Sequence, residues 1–188
     1  MSAGYPGPLR REPIAIELHN TLYAVKGTVV DGLADEASTR AWLAALAPRL
    51  PSPNARVPEL VALRRAVRQA LQAAVDGSPI PRAALDAINE AAAGAPHSPI
   101  AVWRPGAGPV AGVDFHGADD ADVAIAAFAA DAIDLLTGPR RADLRACVAP
   151  GCVLLFIKDH PRREWCCNAC GNRARQARHY RRTRGAQA

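Results

Sequence analysis

Five cysteines fall between positions 147 and 170, and the rest of the 188-residue chain has none. They read Cys147-Val-Ala-Pro-Gly-Cys152, then thirteen residues, then Cys166-Cys167-Asn-Ala-Cys170. Two close pairs separated by a dozen-odd residues is the spacing of a structural zinc site, because each pair can bite one edge of a tetrahedron while the intervening chain forms a hairpin. Pro150-Gly151 suits the tight turn that brings the first pair together, and Val153–Ile157 is an apolar β-run leading away from it. Cys170 is expected in the first turn of a final helix, where free backbone N–H groups and the helix dipole favour a thiolate. The metal ligands are therefore assigned as Cys147, Cys152, Cys166 and Cys170, with Cys167 left at the helix entrance as a free thiol or a spare ligand. His160 and His179 are competing ligands in the same stretch. The rival chemistry is a pair of disulfides or a redox dithiol; nothing upstream resembles an oxidoreductase domain, and clustered cysteines in a reducing compartment argue for metal. Zinc also explains how so short and charged a segment folds, since metal affinity contributes about 10 kcal/mol or more of folding free energy in comparable peptides.

Directly after the cysteines the chain reads NRARQARHYRRTR from Asn172 to Arg184. As a helix, Arg173, Arg175, Arg178, Arg181, Arg182 and Arg184, with Asn172 and His179, present a cationic ridge matched to phosphates, and Arg162 and Arg163 extend it from the preceding loop. Residues 139–188 hold 12 Lys+Arg against 3 Asp+Glu, whereas residues 1–138 hold 11 against 15. A basic block beside an acidic body points to an anionic partner, with DNA first and RNA or an acidic protein drawing on the same residues. Arginine density predicts phosphate affinity and steep salt dependence but specifies no base sequence.

The elements that must carry this tail read as mainly helical. Aromatics are only 5% of the chain, so the core is built from Ala, Leu, Val and Ile. Residues 1–13 read as a flexible leader, and Ile14–Thr21 as a short strand or a helix start. Lys26–Asp35 reads as an irregular loop, followed by a helix around Trp42, Leu43 and Leu46 that ends at Pro48. Val57–Val75 carries an apolar stripe from Leu60 to Val75, with Arg64, Arg65 and Arg68 read as a solvated face. A further helix runs from Pro81 to Gly94. Ile100–Trp103 and Val110–Phe115 read as a β-hairpin lying against the helices. Asp119 or Asp120 caps a last apolar helix that Gly138-Pro139 breaks. No unbroken apolar run has the length of a membrane span, and none near the start could serve as a secretory signal. A cytoplasmic protein is expected.

Cys166…Cys170-Gly171-Asn172-Arg173, with Trp165 before it and Cys147…Cys152 upstream, resembles the CGNR zinc finger. In that family the finger follows a helical domain called ABATE, and the first half of this chain is similar to it at Leu18-His19-Asn20-Thr21, at Val30-Asp31-Gly32-Leu33 and in the long Arg-bearing helix. Cys167 departs from the pattern, since relatives often carry a serine there. The resemblance implies a bacterial stress-induced transcription regulator whose finger binds DNA. The expected architecture is mainly α with a small β-hairpin (α+β): a leader over 1–13, a helical domain over 14–138, and a small treble-clef-like zinc finger with a basic helix over 139–188. The helical domain would dimerise, giving a homodimer, or sense a ligand. His19, Asn20, Asp31 and His116 are the candidates to line a pocket in it. No Ser-His-Asp arrangement, phosphate loop or catalytic metal motif links them, so no enzymatic activity is expected.

Overall fold

The computed structural model describes residues 7–185, and the helical half is built around α5 (Asp120–Thr137). This helix is apolar on nearly every side, with Ala124, Phe128, Ala129, Ala132 and Leu135 fully buried, as expected of a helix enclosed by others. The Asp119 carboxylate accepts the Ala121 N–H at 2.6 Å to start it, and Gly138-Pro139 ends it. Packed against it are α1 (Ile14–His19), α3 (Val57–Asp76) and α4 (Arg82–Ala93). The helix α2 (Glu36–Leu46) supplies Trp42, whose ring stacks on Phe128 with centroids 5.3 Å apart.

Three two-stranded antiparallel pairs complete a mainly α architecture. The first joins β1 (Leu22–Val25) to β2 (Thr28–Asp31), and its second strand lies within the Lys26–Asp35 stretch read as an irregular loop. Its β-branched Thr28, Val29 and Val30 pair across a turn at Lys26-Gly27, where both residues take positive φ. Arg64 corrects a second expectation. It lies four residues after Leu60 and three before Val67, on the apolar stripe rather than the solvated face, and it is buried. The charge is tolerated there because its guanidinium grips Asp31 with both nitrogens, at 2.5 and 2.8 Å, tying the hairpin to α3. Arg68 likewise turns inward, donating to the His19 carbonyl at 2.7 Å.

The second pair, β3 (Ser98–Arg104) with β4 (Gly108–Asp114), is the expected hairpin in a different setting. Most of its residues are exposed, with Trp103 at 73%, so it projects from the helices instead of lying on them. It is anchored at its base, where Phe115 and Ala118 pack against Ala95, Val123 and Ala126.

The third pair, β5 (Leu144–Ala146) with β6 (Leu155–Ile157), joins the helical half to the final helix α6 (Asn168–Gly185). Successive residues of a strand face opposite ways, and β6 uses both faces. Leu155 and Ile157 pack into the helical core, whereas Phe156 packs among the cysteines with Tyr23 of β1. The tail is thus walled onto the helical half.

The edge of β6 turned away from β5 is closed by side chains. Asn20 donates to the Leu155 carbonyl and accepts from the Leu155 N–H, both at 3.0 Å, imitating a neighbouring strand. Glu12 accepts the Ile157 N–H at 3.0 Å, and Arg163 donates to the Ile157 carbonyl at 2.9 Å. Glu12 and Arg163 also pair with each other at 2.5 Å. The segment read as a flexible leader is therefore pinned where it is described, because Glu12 is buried in this clasp and the N–H groups of Arg10 and Glu12 both bond the Glu17 carboxylate. Residues 1–6 lie outside the described residues.

Replacing Asn20 by Ala leaves two buried backbone groups of Leu155 unpaired, each costing roughly 1–3 kcal/mol. The expected loss of stability is about 2–5 kcal/mol in urea unfolding, with faster amide exchange at Leu155; a loss below about 0.5 kcal/mol would show that the clasp carries no load.

Candidate metal centre

Cys147 follows β5 directly and is held in the ladder by its N–H, which donates to the Leu154 carbonyl at 2.9 Å. The turn to Cys152 closes through Cys152 N–H to Ala149 O at 3.0 Å, with Gly151 at φ +71°, a left-handed position that suits glycine. Cys166 ends the loop from β6, and its N–H points at the Cys147 sulfur at 3.4 Å. Cys170 stands in the first turn of α6. None of the five cysteines is disulfide-bonded, and the sulfurs of Cys147, Cys152, Cys166 and Cys170 all lie within 4.8 Å of one another.

Those distances fit a metal ion. A tetrahedral zinc with Zn–S bonds of about 2.3 Å spans sulfur–sulfur edges of about 3.8 Å. The Cys152–Cys166 and Cys152–Cys170 separations are 3.8 Å, and Cys166–Cys170 is 3.4 Å. Electrostatics point the same way. Hydrogen bonds from Cys152 and Cys166 hold the Cys147 thiol well below its usual range. The same bond to Cys147 pushes Cys166 up, and burial pushes up Cys170. Four clustered sulfurs cannot all ionise without a compensating charge, and a divalent cation bound among them would supply it.

Each residue of Cys170-Gly171-Asn172-Arg173 has a distinct task. Arg173 donates to the Cys170 sulfur at 3.2 Å, setting a guanidinium against a site whose four thiolates would exceed the charge of a divalent ion. A Cβ on Gly171 would come within 3.0 Å of the Trp165 indole, so glycine lets that ring lie against the helix. Arg175 also lies over the indole, 5.5 Å from its centroid, and is steered by a 2.6 Å hydrogen bond to Asn172.

The residues expected to meet nucleic acid divide accordingly. Arg163 is turned inward, over Phe156 and onto Glu12, and Arg173 faces the sulfurs. Asn172 and Arg175 hold each other at the surface, while Arg162, Arg178, His179 and Arg182 are exposed on the loop and α6. The side chains of Arg181 and Arg184 lie outside the described residues.

Of the pocket candidates, His19, Asn20 and Asp31 are engaged by their neighbours. His19 is buried and bonded through Nδ1 to Asn20 at 3.1 Å; burial lowers its pKa to about 3, aided by the Arg68 charge, which keeps it neutral. Asn20 serves β6, and Asp31 holds Arg64, whose hydrogen bonds keep the carboxyl below its usual range. His116 sits apart beside β4, hydrogen-bonded to Ser98 at 2.9 Å. Glu12, which orients Arg163 behind the site, is a residue the sequence does not signal, because its partners lie 145 and 151 positions away.

Fold and site together define a helical domain carrying a four-thiol finger at its C-terminal end. The chain belongs to the ABATE family, described as "Putative stress-induced transcription regulator", whose family model matches residues 12–139. The CGNR zinc finger model matches residues 144–183. A search of curated proteins finds no match. No helix among the described residues is long and apolar enough to cross a membrane.

Zinc titration of the reduced chain is expected to reach one ion per chain with release of protons, so affinity falls as pH falls. Arg173→Ala should weaken zinc binding about 10–100-fold, measured by competition with a chromogenic chelator. Unchanged affinity would remove Arg173 from the metal's supporting shell.

Proposed function

We propose that the protein is a zinc-dependent, DNA-binding transcription regulator in which the finger presents α6 to duplex DNA. The observation that carries this reading is the ridge of Arg175, Arg178 and Arg182 on α6, exposed and spaced one turn apart from the first turn that bears Cys170. A helix fits the major groove, and guanidinium groups suit both phosphates and guanine edges. The family description supports a role in transcription. Binding rather than catalysis is the activity proposed, with the cytoplasm as its setting and the metal as a structural element that fixes the first turn of α6.

The test is fluorescence anisotropy with genomic duplexes, using RNA and an acidic peptide as competitors. Arg178→Ala/Arg182→Ala should weaken duplex binding about tenfold and reduce the salt slope by about two. Zinc chelation should abolish binding. If chelation disorders the finger while duplex affinity is undiminished, or if RNA or the peptide displaces the duplex at far lower concentration, the reading is wrong.

A further inference from the structure

Beside the first turn of α6, bordered by Cys166 and Cys167, lies an open cleft of about 610 Å³. Its walls come from two distant parts of the chain: Arg10 and Arg11 from the N-terminal segment, and Arg162, Trp165, Asn168 and Arg175 from the finger. Glu164 is the one acid among its lining residues, against five arginines. Two of those five are already committed, since Arg163 pairs with Glu12 and Asp159 and Arg175 lies on Trp165. Among the described residues no carboxylate forms an ion pair with Arg10, Arg11 or Arg162, and all three are exposed.

The fold sets these cations there at some conformational expense. Arg11 takes φ +61°, a left-handed conformation that a non-glycine residue rarely adopts. It is held so because the N–H groups on either side of it, those of Arg10 and Glu12, both bond the buried Glu17 carboxylate. The loop around Glu17 therefore leaves Arg10 and Arg11 at the cleft. Across from them, Arg162 sits in a turn closed by its own N–H to His160 at 3.1 Å. Guanidinium groups that line one cleft from two parts of the chain, outnumber its single carboxylate and pair with none suit a tetrahedral oxyanion that can accept several forked hydrogen bonds.

We propose that this cleft is a phosphate-binding site made by Arg10, Arg11 and Arg162. Its phosphate comes from a nucleic-acid backbone or from a small phosphorylated ligand, and Arg175 makes the cleft continuous with the ridge of α6, which favours the backbone. The N-terminal segment then belongs to the nucleic-acid interface, although 151 positions separate Arg11 from Arg162. For the source of the phosphate, though not for the site, the inference rests on the DNA-binding reading.

The experiment compares the full, zinc-loaded chain with Arg10→Ala/Arg11→Ala/Arg162→Ala. Zinc content and circular dichroism verify folding; if the triple variant loses zinc, Arg11→Gln and Arg162→Gln, at exposed positions, replace it. Two probes are used: a 20-base-pair duplex read by anisotropy across a salt series, and inorganic pyrophosphate read by the indole N–H resonance of Trp165. The expected result is about a tenfold loss of duplex affinity and a salt slope smaller by about two to three. If duplex binding is unaltered but pyrophosphate shifts the Trp165 resonance only in the unmodified chain, the site stands and takes a small phosphorylated ligand. If the unmodified chain binds no duplex, the DNA reading falls and pyrophosphate alone decides the cleft. Duplex affinity and salt slope unchanged, together with no arginine-dependent pyrophosphate shift, overturn the proposal.

Discussion

Three residues, Leu155 to Ile157, form a strand with only one strand partner, and the rest of the molecule is arranged around closing its other edge. Backbone groups so deeply placed need partners, and the chain supplies them as side chains: the Asn20 amide, the Glu12 carboxylate and the Arg163 guanidinium. The closure does more than satisfy hydrogen bonds. It joins the end of α1 to the finger, places Phe156 under the cysteines and Leu155 in the helical core, and fixes the loop from which Cys166 and Arg162 emerge. The finger thereby shares two hydrophobic clusters with its neighbour.

From that wall the metal site follows in sequence. Cys147 continues β5, Gly151 turns the chain back, and the loop after β6 brings Cys166 to face them. Cys170 then starts α6 against the other three sulfurs, so the direction of the basic helix is tied to the cysteine cluster rather than to a flexible linker. Rigid placement of this kind lets the charged side chains of one helix face stand together in register. The inward commitment of Arg163 and Arg173 shows that some of the tail's positive charge is structural.

What was legible in the sequence was local. Ligand spacing within a few residues marks Cys147, Cys152, Cys166 and Cys170 as a set, and the structure gathers those four. Apolar periodicity marks α3, α4 and α5, and the caps at Asp119 and Gly138 mark the ends of α5. What was not legible depends on partners far along the chain. Arg64 looks like a surface arginine until Asp31 is placed against it, and the β1–β2 hairpin looks like a loop until Tyr23 finds the cysteine cluster. Glu12 and Asn20 give no sign of their role, since the strand edge they serve lies about 140 residues downstream. Polar residues that close someone else's backbone have no periodicity to betray them.

Through β6 the cysteine cluster and the helical domain are coupled into one mechanical unit. Hydrogen exchange followed by mass spectrometry, on the full chain with zinc and after chelation under reducing conditions, tests it directly. Removal of the metal is expected to speed exchange not only across residues 144–170 but also across residues 12–20, which hold the far edge of β6. Loss of protection confined to the finger, with residues 12–20 as slow as before, would contradict the account.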